Sequence, residues 1–437
     1  MEKTDLAIVH IRQLLTMAGP SRPRVREELS DCGIIEDGAI LIRAGRILAA
    51  GPTERIRREF SPQDFRVVNL KDRDLTVLPG FVDSHTHPAF WGTREEEYEL
   101  RLRGVSYEEI AAKGGGILNS AKRVGQASLE QITSNILKYA QMFLDQGTTT
   151  IEAKSGYGLS LDGELKLLRA IRAAAGRTPL ELVPTFLGAH AYPAEFRNNH
   201  QGYLDIIIGQ MLPAVAAENL ARFCDVFCDR GFFSVEESRA ILSAARDHGL
   251  ELKLHADELA AIGAAELAAE LGATSADHLE KVPPRAIKAL ADRGVIAGLL
   301  PGTAFNLGLE EYPPARKLIE QGVPVALATD FNPGTCFTPS LQLVVAIACC
   351  QMRLTPAEAL CAATINGAWA VGLGKDRGSV EAGKRADLAF FACANYRQIP
   401  YLFGVNHCVE TIKNGVPLRR LASLDNGGRE PNPVSGA

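Results

Sequence analysis

The chain of 437 residues has little that would tie it to a membrane, to nucleic acid or to disulfide bonding. Its apolar stretch at 341–350 is too short to span a bilayer, and its N-terminus lacks the basic-then-apolar order of a signal peptide. The nine cysteines include no CxxC pair, which is typical of a reduced chain. The net charge is −5, and no basic stripe or Lys/Arg cluster suggests nucleic acid. We therefore expect a cytoplasmic protein that acts on a small molecule, without nucleic-acid or membrane partners.

The middle of the chain, residues 77–376, alternates between strand and helix patterns. Eight short stretches read as buried strands; the first begins at Val77, and the others lie at 148–153, 180–187, 223–228, 252–255, 274–278, 295–300 and 323–329. This α/β alternation predicts a (β/α)8 TIM-like barrel, with a doubly wound open sheet as the alternative. No GxGxxG motif follows an early strand, which argues against a dinucleotide-binding version of that open sheet.

Both ends of the chain are rich in short strand patterns. The turn at 43–46 separates two of them, and Asn414-Gly415 marks a tight turn near the C-terminus. We therefore expect residues 1–76 and 377–437 to form one small β-sandwich domain built from both termini, beside a barrel domain at 77–376.

Polar side chains follow several of the predicted barrel strands, at the end where barrel sites are built. His85 and His87 alternate along the first strand and so point to one side of it. His255 ends the fifth strand and Asp330 the eighth. Together these four side chains make a metal site that suits Zn²⁺ or Fe²⁺ and leaves room for water, whose pKa such an ion lowers to about 7. Asp330 could also accept the water proton; its alternative role is a helix cap or an Asx-turn before Asn332-Pro333-Gly334.

Three more side chains could take part in catalysis or support it. Glu258 follows the predicted ligand His255 by three residues and could shuttle a proton, the alternative being a solvated glutamate at a helix start. His278 could stabilise an oxyanion or be a hydrogen-bonded structural histidine. For Lys154 we favour a structural ion pair over a role as a ligand that bridges two metal ions, so the sequence favours one ion.

Several longer motifs carry a resemblance to a known family. They are PGFVDSHTH (79–87), TREEE (93–97), AKGGGI (112–117), EAKSGYGL (152–159), LGAH (187–190), HADE (255–258), TDFNPGT (329–335) and GSVEAGKRADL (378–388). With these motifs the chain resembles the amidohydrolase superfamily over nearly its whole length. The resemblance implies a metal-dependent hydrolase of a cyclic amide C–N bond. The reaction it implies is the opening of 4-imidazolone-5-propanoate to N-formimidoyl-L-glutamate in histidine degradation.

The resemblance also implies roles for individual residues. It implies Zn²⁺ or Fe³⁺ bound by His85, His87, His255 and Asp330; substrate contacts from Arg94, Tyr157, His190 and Glu258; product contacts from Asn332, Gly334 and Thr335; and a homodimer. These roles are chemically reasonable. Arg94 offers a forked donor for the propionate, Tyr157 offers a hydroxyl, and Gly334 permits close approach of the backbone.

Other roles stay open for the same residues. Arg94 could form a salt bridge within the charged run 94–99, and Tyr157 and His190 could be packed core side chains. The glycines at 114–116 could form a mobile lid or a plain flexible loop. Two rival functions also remain. A deaminase of a cyclic amidine or nucleobase would share the metal site, but Arg94 with Tyr157 fits a carboxylated substrate better. A non-catalytic scaffold is disfavoured by the intact set of predicted ligands.

Overall fold

The computed structural model describes residues 5–59, 61, 63–105, 109–110 and 114–419. Part of the AKGGGI motif, at 112–113, lies outside the described residues. So do residues 1–4 and 420–437 of the predicted terminal domain.

Within the described residues, sixteen strands form two eight-stranded sheets. In chain order the strands are β1 (Leu6–Leu15), β2 (Ile34–Arg43), β3 (Arg46–Pro52), β4 (Arg66–Asn69), β5 (Thr76–Pro79), β6 (Phe81–Asp83), β7 (Thr148–Lys154), β8 (Glu181–Ala189), β9 (Phe223–Cys228), β10 (Glu251–Ala256), β11 (Ser275–His278), β12 (Ile296–Leu299), β13 (Val325–Leu327), β14 (Leu388–Phe391), β15 (Cys408–Lys413) and β16 (Val416–Pro417).

Helices fill most of the connections between these strands. The α-helices are Thr53–Ile56, Glu95–Leu102, Ile117–Gln126, Leu129–Asp145, Leu161–Ala175, His200–Ile206, Leu212–Ala217, Val235–Asp247, Ala264–Leu271, Pro284–Arg293, Pro301–Leu307, Ala315–Gln321, Leu341–Met352, Pro356–Cys361, Gly367–Ala370 and Gln398–Tyr401. Short 3-10 turns lie at Arg26–Ser30 and Ala194–Phe196, and π-helical turns at Ile207–Met211 and Ala362–Asn366. No helix in the described ranges combines the length and apolar character needed to cross a membrane.

The strands β6 to β13 form the predicted barrel. Each pairs in parallel with the next one along the chain. The first and last strands also meet, because Thr86 and Phe331 form a parallel bridge and the Asp330 N–H donates to the carbonyl of His85 at 3.0 Å. The (β/α)8 barrel is therefore confirmed, and the alternative of an open doubly wound sheet is wrong. The carboxyl ends of all eight strands open on one face, where barrel sites lie.

The second sheet is built from both ends of the chain, as predicted. Its strands run in the order β16-β15-β14-β5-β1-β2-β3, with β4 paired to β1, so that all eight are hydrogen-bonded as one mixed sheet. Side chains alternate between its faces. Val77 and Phe390 belong to the apolar core of the sheet itself, whereas Leu78 and Phe391 belong to the large core shared with the barrel. The alternation thus joins the two sheets through one continuous apolar core.

The stretch predicted as a single opening strand from Val77 is two strands. β5 pairs with β1 and β14 in the mixed sheet, and only β6 belongs to the barrel. Gly80 lies between them, and a Cβ atom there would stand 2.2 Å from Cγ2 of Thr149. The chain therefore passes from one sheet to the other at Gly80. The division into domains at 1–76, 77–376 and 377–437 stays a prediction.

Candidate active site

Three histidines from two barrel strands converge at the carboxyl end of the barrel. His85 and His87 follow β6, and His255 lies near the end of β10. One ring nitrogen from each lies within 4.8 Å of the others, and all three side chains are buried. The Nε2 atoms of His85 and His87 are 3.2 Å apart. The two strand ends thus bring together the three histidines that the sequence predicted as ligands.

Carboxylates lie close to Nδ1 of two of these histidines, and Nδ1 of His85 is hydrogen-bonded to its carboxylate. Nδ1 of His85 lies 2.7 Å from Oδ2 of Asp277, and Nδ1 of His255 lies 3.0 Å from Oδ2 of Asp225. A carboxylate at Nδ1 keeps the proton on that nitrogen and leaves the Nε2 lone pair free. Burial, together with the charge of Lys154, lowers the pKa of His85 well below its ordinary value. The ring of His85 is therefore neutral, as a metal ligand must be.

Asp330 completes the cluster from the segment that follows β13. Its Oδ1 lies 3.4 Å from Nε2 of His87 and 3.6 Å from Nε2 of His85. Its Oδ2 accepts a hydrogen bond of 2.6 Å from the hydroxyl of Thr303. The backbone of Asp330 has φ +52°, a conformation that is uncommon for a residue with a side chain and is often found at functional sites.

The Asx-turn in this segment is made by Asn332 and not by Asp330. Oδ1 of Asn332 accepts from the N–H groups of Gly334 at 2.8 Å and Thr335 at 2.7 Å, and its amide donates to the hydroxyl of Thr335 at 2.8 Å. The Asx-turn considered for Asp330 is therefore wrong, and so is the helix cap, because the next helix is capped by Ser340. The polar groups of Asn332 are used inside the turn, and product contacts by Asn332, Gly334 and Thr335 stay a prediction.

Glu258 and His278 lie side by side next to the histidine cluster. Oε2 of Glu258 is 3.6 Å from Nε2 of His278, and the His278 ring centroid is 5.3 Å from that of His255. Glu258 is not the start of a helix, because the next helix begins at Ala264. Burial, reinforced by the charge of Glu280, raises the pKa of Glu258 well above its ordinary value. Burial lowers the pKa of His278 to about 3, so its ring is neutral.

Glu280 was not predicted from the sequence. It is buried, and its Oε2 lies 3.8 Å from Nδ1 of His278. Burial raises the pKa of Glu280 to about 8, and the charge of Asp330 adds to the shift. A signal for it was present in the sequence, because Glu280 follows His278 by two residues just past the end of a barrel strand. It adds a second carboxyl group to the surroundings of that histidine.

Arg94 is buried just before the helix Glu95–Leu102, and its guanidinium is short of partners. Its Nε lies 3.7 Å from Oε2 of Glu97, which is too long for a hydrogen bond, and neither Nε nor Nη1 has a hydrogen-bond partner among the described residues. The guanidinium packs so closely on Gly334 that a Cβ atom there would stand 1.2 Å from Nη2. A buried cation with free donors next to the Asp330 segment fits an anionic ligand group.

Tyr157 and His190 pack against the histidine cluster. The ring of His190 stacks on that of His87, with centroids 5.2 Å apart and an interplanar angle of 16°, and its Nδ1 lies 3.0 Å from the carbonyl of Gly156. The ring of Tyr157 lies 5.2 Å from that of His190. The buried carboxylate of Glu164, which the sequence did not single out, accepts hydrogen bonds from backbone N–H groups of this loop at 156–159. It thereby fixes the loop that carries Tyr157.

Lys154 is held in an ion pair, the role favoured from the sequence. Its Nζ lies 2.6 Å from Oδ2 of Asp225 and 2.8 Å from Oε2 of Glu152, and all three side chains are fully buried. Lys253 adds a second buried ammonium group, 3.0 Å from the same oxygen of Glu152. Sequence reasoning missed this group of charges. The spacing of two residues between Lys253 and His255 would have placed both on the same side of β10.

These side chains fit a metal ion. With its Nδ1 proton directed at Asp277, His85 presents an Nε2 lone pair toward Oδ1 of Asp330. Two acceptors that face each other in a buried site need a cation between them. Imidazole nitrogens with one carboxylate oxygen are a donor set that suits Zn²⁺ and Fe ions.

Comparisons with known proteins agree with this fold and this site. Residues 117–419 match the model of a family described as "Amidohydrolase family". The chain is 49 % identical over 411 residues to the imidazolonepropionase of Geobacillus thermodenitrificans. The matched residues make up 94 % of this chain and 97 % of that protein. It is 48 % identical over 401 residues to the imidazolonepropionase of Solibacter usitatus, and the matched residues make up 92 % of this chain and 95 % of that protein.

Solved structures with low sequence identity share the fold. A triazine hydrolase variant has a TM-score of 0.72 at 17 % identity and covers 96 % of this chain and 97 % of its own. An adenosine deaminase from Xanthomonas campestris with bound zinc has a TM-score of 0.70 at 20 % identity and covers 96 % of each chain.

The family match, which spans more than half of the chain, and the barrel with its histidine cluster define the class of protein. The chain belongs to the amidohydrolase family, the hydrolases of C–N bonds and related groups, and within that family it belongs with the imidazolonepropionases.

Proposed function

We propose that this protein hydrolyses 4-imidazolone-5-propanoate to N-formimidoyl-L-glutamate, a ring-opening step in histidine degradation. The observation that carries the proposal is the identity of 45–49 % to imidazolonepropionases over more than nine tenths of the chain. The site adds support, because a buried arginine with free donors fits the propionate group.

We assign one metal ion, Zn or Fe, to His85, His87, His255 and Asp330. The support is the convergence of their donor atoms, with separations of 3.2 to 3.6 Å among the Nε2 atoms of the first two and Oδ1 of the aspartate. A metal ion bound there would polarise the ring carbonyl and make hydroxide available from water near neutral pH.

The remaining steps fall to side chains of the chain itself. His278 is neutral and lies next to the cluster, so its Nε2–H can donate to the negative charge that develops on the carbonyl oxygen. Asp330 accepts the proton from the attacking water. The raised pKa of Glu258 keeps a proton on its carboxyl group. Glu258 donates this second proton to the ring nitrogen as the C–N bond opens.

We assign the rest of the substrate to the side chains at the mouth of the site. Arg94 binds the propionate with its free Nε and Nη1 donors, while Tyr157 and His190 pack beside the ring. Asn332, Gly334 and Thr335 contact the opened product. In this arrangement Arg94 contributes mainly to substrate binding, and Glu258 mainly to turnover.

The direct test is incubation of the purified protein with 4-imidazolone-5-propanoate while the ring absorbance is followed, with and without a chelator. We expect loss of the absorbance, a product with the mass of N-formimidoyl-L-glutamate, and arrest by the chelator that added Zn²⁺ reverses. Full activity in a rigorously metal-free sample would contradict the metal-dependent mechanism. Release of ammonia without ring opening would identify a deaminase instead.

We further propose that two copies of the chain pair and that the protein is cytoplasmic. The exposed apolar side chains of Tyr401, Leu402, Phe403 and Val405 support pairing, since such contiguous surface is commonly buried in an interface. The nine free cysteines fit a reducing compartment. Light scattering of the wild type and of a Phe403→Ser variant tests the pairing. A wild type that is monomeric at micromolar concentration would refute it.

A further inference from the structure

Five charged side chains lie beneath the histidine cluster in the barrel interior. They are Glu152, Lys154, Asp225, Lys253 and Asp277, and all five are fully buried. We call them the charge network. They come from four strands of the barrel, β7, β9, β10 and β11, and no role in the reaction proposed above uses them directly. Buried charges are costly unless each one is paired, so their arrangement calls for an explanation.

The charge network has two arms that meet at one carboxylate. In the first arm, Oε2 of Glu152 lies 3.0 Å from Nζ of Lys253, which in turn lies 3.6 Å from Oδ2 of Asp277. The same oxygen of Asp277 lies 2.7 Å from Nδ1 of His85, with which it forms a hydrogen bond. Lys253 is also anchored by a hydrogen bond of 2.7 Å to the carbonyl of Ser84, the residue next to His85.

The second arm begins at the same oxygen atom. Oε2 of Glu152 lies 2.8 Å from Nζ of Lys154, and Lys154 lies 2.6 Å from Oδ2 of Asp225. That oxygen of Asp225 lies 3.0 Å from Nδ1 of His255. The other oxygen of Glu152 accepts a hydrogen bond of 2.5 Å from the hydroxyl of Thr185, which fixes the carboxylate in place.

The position of Glu152 decides how strongly Lys253 competes with His85, whereas Lys154 already donates to Oδ2 of Asp225 at 2.6 Å. An ammonium group that moved onto Oδ2 of Asp277 would compete with Nδ1 of His85 for that oxygen. Glu152 and the carbonyl of Ser84 hold Lys253 at 3.6 Å, so the oxygen of Asp277 stays available to the ring. Without the charge of Glu152, both lysines would have only the two aspartates as charged partners.

We propose that Glu152 is a positioning residue for the metal site: it holds Lys253 back from Asp277, so that Asp277 keeps His85 oriented for a metal ion. The inference rests on the metal site assigned above. It extends the support of the ligand His85 from Asp277 to the carboxylate that holds Lys253.

The test is the binding of Zn²⁺ to purified Glu152→Gln. Glutamine keeps the shape of the side chain and an acceptor for Thr185, but its NH₂ group repels the ammonium groups. We expect the dissociation constant for Zn²⁺, measured by competition with a chromophoric chelator, to rise about 10- to 100-fold. We also expect the visible spectrum of the Co²⁺-loaded protein to shift, since the ligand geometry changes. A merely structural role would lower the melting temperature of the metal-free protein without altering that spectrum.

Control variants separate this role from a general effect of buried charge. Glu410→Gln removes another buried carboxylate, one that accepts a hydrogen bond from the Thr411 N–H in the mixed sheet, and should leave Zn²⁺ binding unchanged. In the double variant Glu152→Gln/Lys253→Met the competing ammonium group is gone, so part of the affinity should return. If Glu152→Gln does not fold, Thr185→Val should give a smaller loss of affinity in the same direction.

Three results would overturn the inference. Unchanged Zn²⁺ affinity and an unchanged Co²⁺ spectrum in folded Glu152→Gln, beside a wild type that binds tightly, would overturn the role of Glu152 but not the metal site. A double variant that binds more weakly than Glu152→Gln would overturn the competition through Lys253. A wild type that binds no Zn²⁺ would overturn the metal site together with the inference.

Discussion

The contact between Gly334 and Arg94 gives a sharp prediction about substrate binding. In Gly334→Ala the new methyl group would stand 1.2 Å from Nη2 and 2.4 Å from Cζ of Arg94, so the guanidinium must move. The tip of an arginine side chain is flexible, and turning one of its torsions about 30° off its rotamer costs about 0.5–1.5 kcal/mol. The fold should therefore survive the substitution, while the guanidinium leaves the position in which it would meet the propionate.

The expected size of the effect follows from the interaction that is lost. A hydrogen bond to a charged group contributes about 1.5–3 kcal/mol, and each 1.4 kcal/mol is a factor of about ten in affinity. We therefore expect KM for 4-imidazolone-5-propanoate to rise about 10- to 150-fold in Gly334→Ala, with kcat changed much less. Arg94→Ala should raise KM by a similar factor, and the double variant should be no worse than either single one, because all three lose the same contact.

The assay is steady-state loss of ring absorbance, with urea unfolding of each variant as a check on the fold. Gly125→Ala is the matched control, since Gly125 lies in the helix Ile117–Gln126 and a Cβ atom there meets nothing within 4 Å. It should leave KM unchanged. An unchanged KM in folded Gly334→Ala, or in Arg94→Ala, would refute the assignment of Arg94 to the carboxylate.

Three further substitutions test other parts of the structure. Thr303→Val removes the hydroxyl that donates to Asp330 and should weaken Zn²⁺ binding by about tenfold in chelator competition. Burial raises the pKa of Glu164, so between its ordinary and raised values the folded state keeps a proton that the unfolded chain has lost. The free energy of unfolding therefore falls with rising pH, by up to about 1.4 kcal/mol per unit, and Glu164→Gln should remove this slope in urea titrations. Ser234→Ala should cost about 1 kcal/mol in the same assay, because the hydroxyl accepts from the Glu237 N–H at the helix start.

Each of these predictions has a control and a result that contradicts it. Thr133→Val, in which the lost hydroxyl bonds only within its own helix, should leave Zn²⁺ binding intact; equal affinities of Thr303→Val and the wild type would contradict the role of Thr303. Parallel pH profiles of the wild type and Glu164→Gln would contradict the raised pKa. Ser134→Ala, in an exposed helix interior, should leave the free energy of unfolding almost unchanged. A Ser234→Ala variant as stable as the wild type would contradict the role of Ser234 as a helix cap.

The barrel strands could be predicted because they are buried on both faces and therefore read as continuous apolar runs. The strand Phe223–Cys228 has the same bounds in the prediction and in the structure. The helical stretch from His200 to Ala217 is interrupted by a π-helical turn at Ile207–Met211, which hydrophobic periodicity does not encode. The split at Gly80 was also missed, since both halves of the stretch are apolar and only tertiary pairing separates them.

The candidate site could be predicted as far as its ligands follow strand ends. His85 and Asp330 follow the ends of β6 and β13, His255 lies near the end of β10, and the parallel barrel brings such ends together. The charge network could not be predicted, because a lone Asp225 or Lys253 inside an apolar strand carries no repeating pattern. Its members are recognised as partners only once the folded barrel places each of them within 3.6 Å of an oppositely charged group.

The central place of β5 in the mixed sheet has a consequence for biosynthesis. One edge of β5 pairs early with β1, but the other edge pairs with β14, whose first residue leaves the ribosome about 300 residues later. At about 5–20 residues per second that interval is roughly 15–60 s. Until then that edge of β5 lacks its native partner strand, so we expect the yield of native protein to depend on elongation speed and on chaperone supply.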